Sequence, residues 1–533
     1  MVRLTFYGGV GEIGGNKILL EDGDRKLLLD FGFPYQRHKL FYEEYLKPRG
    51  GAGLLDPLVM ELLPPLEGLY RDDLETPGLW PQFRDRPLYR RLDHVDGILL
   101  SHAHLDHSGY ISFLKNDIPV YATATTAFIT KSIQDSGKSD FDQQVCYFSP
   151  TVRDYPSGWG QAACLASGDK QQRPFRIADK KPADLSATAL GFWSHGFWEK
   201  STRQKEMASV PLAGHSGSAF NLRCFPVDHS IPGACAWGIE TSAGWLIYSG
   251  DLRLHGKRAK LTENFLAAAA ALQPRALILE GTNLRREQNA TEQQVYENAL
   301  KAITGCKDLV IADFSARDAD RLLTFLQIAK DTGRKLVILP KDAYFLKTLR
   351  LLHPRVPDIA QEDSLVIYQE TLASKYPSLW QRNLCQDYSG KLILAKDVSE
   401  AQDRFILCFS FFDLNELPSI RPRPGSRYVF SSSEPHNEEQ ELDFRRLHQW
   451  LKHFNIQGFG VPVEVNGEWQ VPESERGLHA SGHACGPDLL RIARELKPTT
   501  LIPVHSEHAA DYVERLSGME VILPALGKTI EIS

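Results

Sequence analysis

Ser101-His102-Ala103-His104-Leu105-Asp106-His107-Ser108-Gly109-Tyr110 follows directly on the apolar run Ile98-Leu99-Leu100. An apolar run ending in a polar, glycine-containing stretch reads as a strand running into a loop. Three His and one Asp within six positions can aim several nitrogen and oxygen ligands into one pocket. That donor set suits zinc, which takes imidazole and carboxylate and keeps an open position for catalysis. With only 17 His in 533 residues, such packing beside an Asp fits chance poorly.

Further candidate ligands stand at the ends of other apolar runs. His229 lies in Pro226-Val227-Asp228-His229-Ser230-Ile231-Pro232-Gly233, Asp251 in YSGDLR (248–253) and His505 in PVHSE (503–507). Each sits where a strand leaves its sheet, the usual place for site residues in α/β proteins. Singly each reads as structural; with the 102–107 run they form one set.

Outward from this cluster, LTFYGGVGEIGG, KILLE and RKLLLDFG (4–32) alternate short strands with glycine turns and read as hairpins. Residues 33–94 and 134–218 lose periodicity and are rich in turn formers. From 308 a βαβα rhythm sets in. DLVIADFS, KLVILP, RFILCFS and RYVFSSS are continuous apolar strands. ARDADRLLTFLQIAKDTG, KDAYFLKTLRLL and EEQELDFRRLHQWLKHF are amphipathic helices. Buried strands between such helices imply a parallel sheet covered on both faces. The chain is therefore α/β, with 287–475 expected as a separate unit inserted in a domain formed by 1–286 and 476–533.

Hydrophobic content of 42%, charged content of 24% and no apolar run of membrane length describe a soluble globular protein. The eight Cys form no CxxC pair, which reads as reduced thiols in a cytoplasmic protein. A formal charge of −6 excludes recruitment of nucleic acid by a global basic field, so any such binding needs a local groove.

The run HxHxDH with later His, Asp and His resembles the metallo-β-lactamase superfamily. GGVGEIGGN, LLLDFG, SHAHLDHSGY, DHSIPG, SGDLR, LEGTN, SSSEP, HASGHA and PVHSE, in that order, are similar to its β-CASP nucleases and most of all to ribonuclease J. The resemblance implies an αββα sandwich carrying an inserted β-CASP domain. It implies two Zn2+ per chain (Mn2+ could substitute), one held by His102, His104 and His229, the other by Asp106, His107 and His505. Asp251 would bridge the two ions and Asp30 would orient the ligands from outside. His483 would protonate the leaving 3′-oxygen, kept charged by Glu280, so that Asp106, Asp251, His483 and Glu280 form the catalytic set. His479, Ser481, Ser431, Ser432 and Ser433 would contact phosphate.

The implied activity is hydrolysis of single-stranded RNA to 5′-phosphate and 3′-hydroxyl ends, with 5′→3′ exonuclease and endonuclease action both known in the group. His505 in the final motif goes with RNA; DNA-directed relatives carry Val there. A DNA repair nuclease and a non-catalytic scaffold are the rival readings, the latter opposed by a complete ligand set. No membrane partner is expected, and homo-oligomerisation stays open. Two departures from the group stand out: 33–94 and 134–218 are long, and the chain stops where ribonuclease J continues into a further domain. Within the second, GFWSHGFWEKSTRQK (191–205) interleaves aromatic and basic residues, suiting either base stacking or a small core of its own.

Overall fold

The computed structural model describes all residues except 44, 138–143, 155–162, 167–168, 196–206, 316, 371–376 and 433–437. Among these residues three large sheets carry the fold. The first opens with the hairpin Val2–Gly8 to Lys17–Asp22, continues into Arg25–Phe31, and extends through Gly97–Leu99, Val120–Ala122, Phe175–Ile177 and Ala213–Gly214. Its far edge is closed by Thr529–Ile532, antiparallel to Val2–Gly8. The second sheet runs Asn221–Pro226, Cys235–Thr241, Gly244–Tyr248, Ala276–Glu280, Thr500–Val504 and Glu520–Val521.

Side-chain alternation decides how these two sheets stack. Leu4, Phe6, Ile18, Leu20, Leu27 and Leu29 share one core with Trp237, Ile239, Tyr248, Ile278 and Ile502 from the second sheet. Their sequence neighbours Tyr7, Leu19 and Leu28 point the other way, into the core where 54–83 packs. A one-residue slip would exchange the faces. Each fully buried Leu, Ile or Phe here contributes about 1.5–3 kcal/mol relative to exposure. The stretch 33–94, irregular in sequence, is thus a cover for the first sheet: Leu54, Leu58, Tyr70 and Phe83 are all buried. Helices Ala259–Ala270 and Gly486–Leu496 cover the second sheet, completing an αββα sandwich.

The third sheet is wholly parallel, in the order Leu392–Ile393, Leu365–Tyr368, Lys335–Ile338, Phe405–Leu407, Val310–Asp313, Arg427–Phe430, Gln457–Phe459. Its faces feed two separate cores, Val310 and Ala312 to one side, Leu309 and Ile311 to the other. Strand Ala276–Glu280 pairs in parallel with Thr500–Val504, Glu280 opposite Val504. The chain thus leaves the sandwich beside the strand by which it returns. Among the described residues no helix is long and apolar enough to cross a membrane.

The aromatic segment near 191 divides. Trp193 is buried against Phe128 and Phe175 and donates its indole N–H to Val210 O at 3.0 Å. Phe192 stacks on Phe128. These two rings serve the core, not a base. Residues 196–205, the rest of that motif, lie outside the described residues.

Candidate metal centre and active site

Asp251 stands at the middle of the histidine cluster. Its Oδ2 is 3.1 Å from His107 Nε2, 3.6 Å from His102 Nε2, 3.8 Å from His505 Nε2 and 3.9 Å from His229 Nε2. To one side His104 Nδ1 lies 3.0 Å from His102 Nε2 and 3.2 Å from His229 Nε2. To the other, Asp106 Oδ2 is 3.4 Å from His505 Nε2 and 3.7 Å from His107 Nε2. All seven expected ligands converge, in two groups that share Asp251.

Hydrogen bonds behind the rings aim their lone pairs inward. His229 Nδ1 donates to Gly482 O at 2.6 Å, and His107 Nδ1 to Asp30 Oδ2 at 2.7 Å. Ser101 Oγ gives its proton to Asp30 Oδ2 at 2.7 Å, so its lone pair accepts from His102 Nδ1 at 3.0 Å. His505 Nδ1 meets Thr282 Oγ1 at 2.9 Å. Each of these rings is left with Nε2 facing the cluster, the arrangement by which outer partners orient metal ligands. Asp30 gathers Ser101 N–H, Ser101 Oγ, Tyr248 O–H and His107 on one carboxylate with no exposed surface.

The protonation pattern matches a cation site. Burial pushes His104 down to about 4. Burial also lowers His102, helped by the nearby His107, and His229, helped by His104. Burial would raise Asp251 and Asp106, but the surrounding histidines, His107 foremost, hold both well below the carboxylate range. Burial opposes charge on His107 too, yet Asp251, Asp106 and Asp30 outweigh it and raise that ring. The lowered imidazoles of His102, His104 and His229 beside ionised carboxylates are what zinc takes, and a cation would stand in for the proton that these carboxylates favour on His107. His107 Nε2 and Asp251 Oδ1 are buried and have no hydrogen-bond partner, orphans that a bound cation would satisfy. The donor set fits the ion.

Backbone geometry shows how tightly the site is specified. Asp30 and His505 both hold left-handed conformations, φ 53° and 52°. Such strain in non-glycine residues persists only where the surroundings impose it. His505 N–H bonds Gly9 O at 2.8 Å, tying the last ligand to the first glycine turn. A Cβ on Gly32 would fall 1.6 Å from Asp106 O, so the first sheet approaches the ligand loop only through glycine.

Beside the cluster, His483 Nδ1 donates to Glu280 Oε2 at 2.8 Å and lies 3.9 Å from Asp251 Oδ2. Burial would lower this imidazole, but Glu280 and then Asp251 raise it to about 9. Glu280 itself is 1% exposed and also accepts from Leu252 N–H. The loop that carries His483 is pinned throughout. Ser481 Oγ accepts from Asn283 Nδ2 and His483 N–H, Asn289 Nδ2 donates to His483 O, and Arg253 donates to Ser481 O.

The phosphate contacts expected from SSSEP need correction. Ser431 is 1% exposed, and its hydroxyl donates to Leu478 O while accepting from Arg321 Nη1 at 2.7 Å. It braces the loop and offers no donor to a phosphate. Ser433 lies outside the described residues. Ser432 and His479 remain, both lining a cleft of about 560 Å3 with Arg286 and Arg476. His479 Nδ1 also donates to Ser431 O at 3.3 Å. Ser481, with its oxygen already accepting twice, orders the loop.

Several residues of the site had no sequence signal of their own. Thr282, Tyr248, Asn283 and Asn289 act through hydrogen bonds to residues far away in sequence. Arg253 and Arg321, both fully buried, join Glu292, Asp320 and Asp228 in an ionic network beneath the HASGHA loop; Arg258 of that network also donates to His229 O.

Residues 473–524 match the family described as Zn-dependent metallo-hydrolase RNA specificity domain. That span holds His479, Ser481, His483 and His505. The chain is 22% identical to ribonuclease J of Mycolicibacterium smegmatis, over 95% of this chain and 68% of that one. It is 21% identical to ribonuclease J of Pyrococcus abyssi, over 100% of this chain and 97% of the relative. A crystal structure of a protein of unknown function from Enterococcus faecalis V583 superposes with a TM-score of 0.63 at 20% identity, covering 99% of both chains. In fold, site and sequence the chain resembles ribonuclease J, of the β-CASP group of the metallo-β-lactamase superfamily, along nearly its whole length.

Proposed function

We propose that the protein is a zinc-dependent ribonuclease that hydrolyses phosphodiester bonds of single-stranded RNA. The observation that carries this reading is the convergence of six His and Asp side chains around Asp251, with the raised His483 imidazole 3.9 Å from the same carboxylate. Two zinc ions, held by His102, His104 and His229 and by Asp106, His107 and His505 with Asp251 between them, would supply a water of near-neutral pKa and neutralise phosphate charge.

The chain's own residues do the rest. Ser432 and His479 hold phosphate in the cleft beside the centre, with Arg286 and Arg476 adding positive charge. His483, charged through Glu280, gives its proton to the departing 3′-oxygen and leaves a 3′-hydroxyl. Glu280 and the buried loop contacts keep that ring in place between turnovers. RNA is the substrate class because the segment supplying His483 and His505 matches an RNA specificity domain. Entry from a 5′-monophosphorylated end is the finer reading, which a circular RNA would resist.

The test is a gel assay of zinc-loaded protein on 5′-monophosphorylated RNA and DNA of one sequence. RNA should be cut to products with 5′-phosphates, and DNA much more slowly. Equal or faster cleavage of DNA would overturn the assignment.

A further inference from the structure

A second cavity, of about 480 Å3, lies at the carboxyl ends of strands Val310–Asp313, Lys335–Ile338, Phe405–Leu407 and Arg427–Phe430. From Val310–Asp313 the chain crosses to Lys335–Ile338 on one side and only later lays Arg427–Phe430 along the opposite edge. Crevices where connections diverge in this way are where open parallel sheets bind ligands. No residue of the metal centre lines it. Ser432, however, lines both this cavity and the His479 cleft, and Arg317 on its wall feels the charge of Asp106. The cavity therefore opens alongside the reaction site.

Two features of its wall ask for a ligand. Phe412 is 78% exposed, edge-on to Phe411 with centroids 5.3 Å apart, so an aromatic face stands open to water. Asp342 is only 2% exposed. Its Oδ2 accepts from Leu339 N–H at 2.9 Å, while its Oδ1 has no hydrogen-bond partner. A buried, unpartnered carboxyl oxygen is costly and calls for a donor. Burial pushes this carboxyl up to about 7, with Lys341 opposing.

The geometry points to a pocket for an amino-bearing purine base, stacked on Phe412 with its exocyclic amine donating to Asp342 Oδ1. On the same wall Lys341 is paired with Asp413 at 3.5 Å, and Arg317 is the remaining cation beside Asp313 and Asp443, so the pocket suits the base rather than its phosphate. The base can belong to an RNA strand in the cleft or to a free nucleotide, since both present the same face and edge. Only the first source rests on the ribonuclease reading.

Calorimetric titration of the zinc-loaded protein with adenosine, guanosine, inosine and uridine tests the pocket, because nucleosides carry no phosphate for the metal centre. Adenosine or guanosine should bind about tenfold more tightly than inosine, which lacks the amine. Uridine should be weakest. Phe412→Ala, which removes an exposed ring and leaves the core intact, should weaken every purine about tenfold. In Asp342→Asn the Leu339 N–H retains the amide oxygen, turning the NH2 towards the ligand and erasing the advantage over inosine. Equal binding of all four nucleosides, or a Phe412→Ala protein that binds purines like wild type, would overturn the proposal, even if Asp342→Asn fails to fold. Cleavage of RNAs varied base by base separates the sources. A positional purine preference lost in Phe412→Ala assigns the base to the strand; nucleoside binding without it assigns a free nucleotide. Absence of any RNA cleavage would count against the ribonuclease reading alone, the nucleoside result standing by itself.

Discussion

His483 Nδ1 lies 2.8 Å from Glu280 Oε2, and the two residues are brought together by the pairing of the strand that leaves the sandwich with the one that returns to it. Glu280 ends the first strand; His483 rides on the loop before the helix Gly486–Leu496 that leads into the second. A charged imidazole held this way is suited to donate a proton at neutral pH.

His483→Ala should therefore cut turnover on RNA by about 10²–10⁴-fold while leaving the zinc content unchanged. The loss should shrink on a nitrophenyl phosphodiester, whose leaving group needs no proton. An equal fractional loss on both substrates would assign His483 to phosphate binding instead.

The pH profile carries a second expectation. An acid raised to about 9 stays protonated through neutrality, so the rate should fall only as pH rises through about 9. Glu280→Gln removes the largest raising influence, and the falling limb should move to lower pH with a milder drop in rate. A limb that stays in place in Glu280→Gln would separate Glu280 from the proton donor.

His505→Ala should lower zinc from about two ions to about one per chain and nearly abolish cleavage. The residue is a ligand candidate held at φ 52°, a conformation costing any non-glycine residue on the order of 1 kcal/mol, which alanine would bear without the ligand that imposes it. His505→Asn, which tolerates that conformation, gives the cleaner comparison. Wild-type zinc content and turnover in both variants would make His505 a structural histidine.

How much of this was legible beforehand follows from which contacts are local. The run His102 to His107 is local, and its chemistry can be read from spacing. His229, Asp251 and His505 were readable as strand-end residues, the 102–107 run joined them into one set, and the resemblance implied which ion each would hold. The alternation of Leu4, Phe6, Ile18 and Leu20 fixed hairpins, and the buried runs near Val310 and Leu336 fixed a parallel sheet. By contrast, Ser431 looked like a phosphate donor because its motif shows composition and not direction; only packing against Arg321 and Leu478 turns its hydroxyl inward. Residues 54–83 lack periodicity because their elements are too short to show one: the helix Leu55–Val59, the strand Leu66–Glu67 and the turns Asp72–Leu74 and Trp80–Gln82 deliver Leu54, Tyr70 and Phe83 to the first sheet. The Arg253–Asp320 and Arg321–Glu292 pairs join distant segments whose charges look like ordinary surface residues in sequence.

That ionic network gives a stability expectation. Arg321 has no exposed side-chain surface, and Arg321→Met takes from Glu292 its nearer cation, leaving Arg253 at 3.5 Å, and from Ser431 its donor. Denaturant unfolding should show a loss of about 3–5 kcal/mol. A change below about 1 kcal/mol would mean that water or rearranged side chains replace the guanidinium.

Whether a zinc centre performs the cleavage is decided by counting metal and measuring activity on one sample. Elemental analysis of the purified protein should find about two zinc ions per chain, by the ligand count at Asp251. RNA cleavage measured on the same sample should vanish on chelation and return with added zinc. Only trace transition metal in active protein, or cleavage that survives complete chelation, would rule out a zinc-dependent reaction.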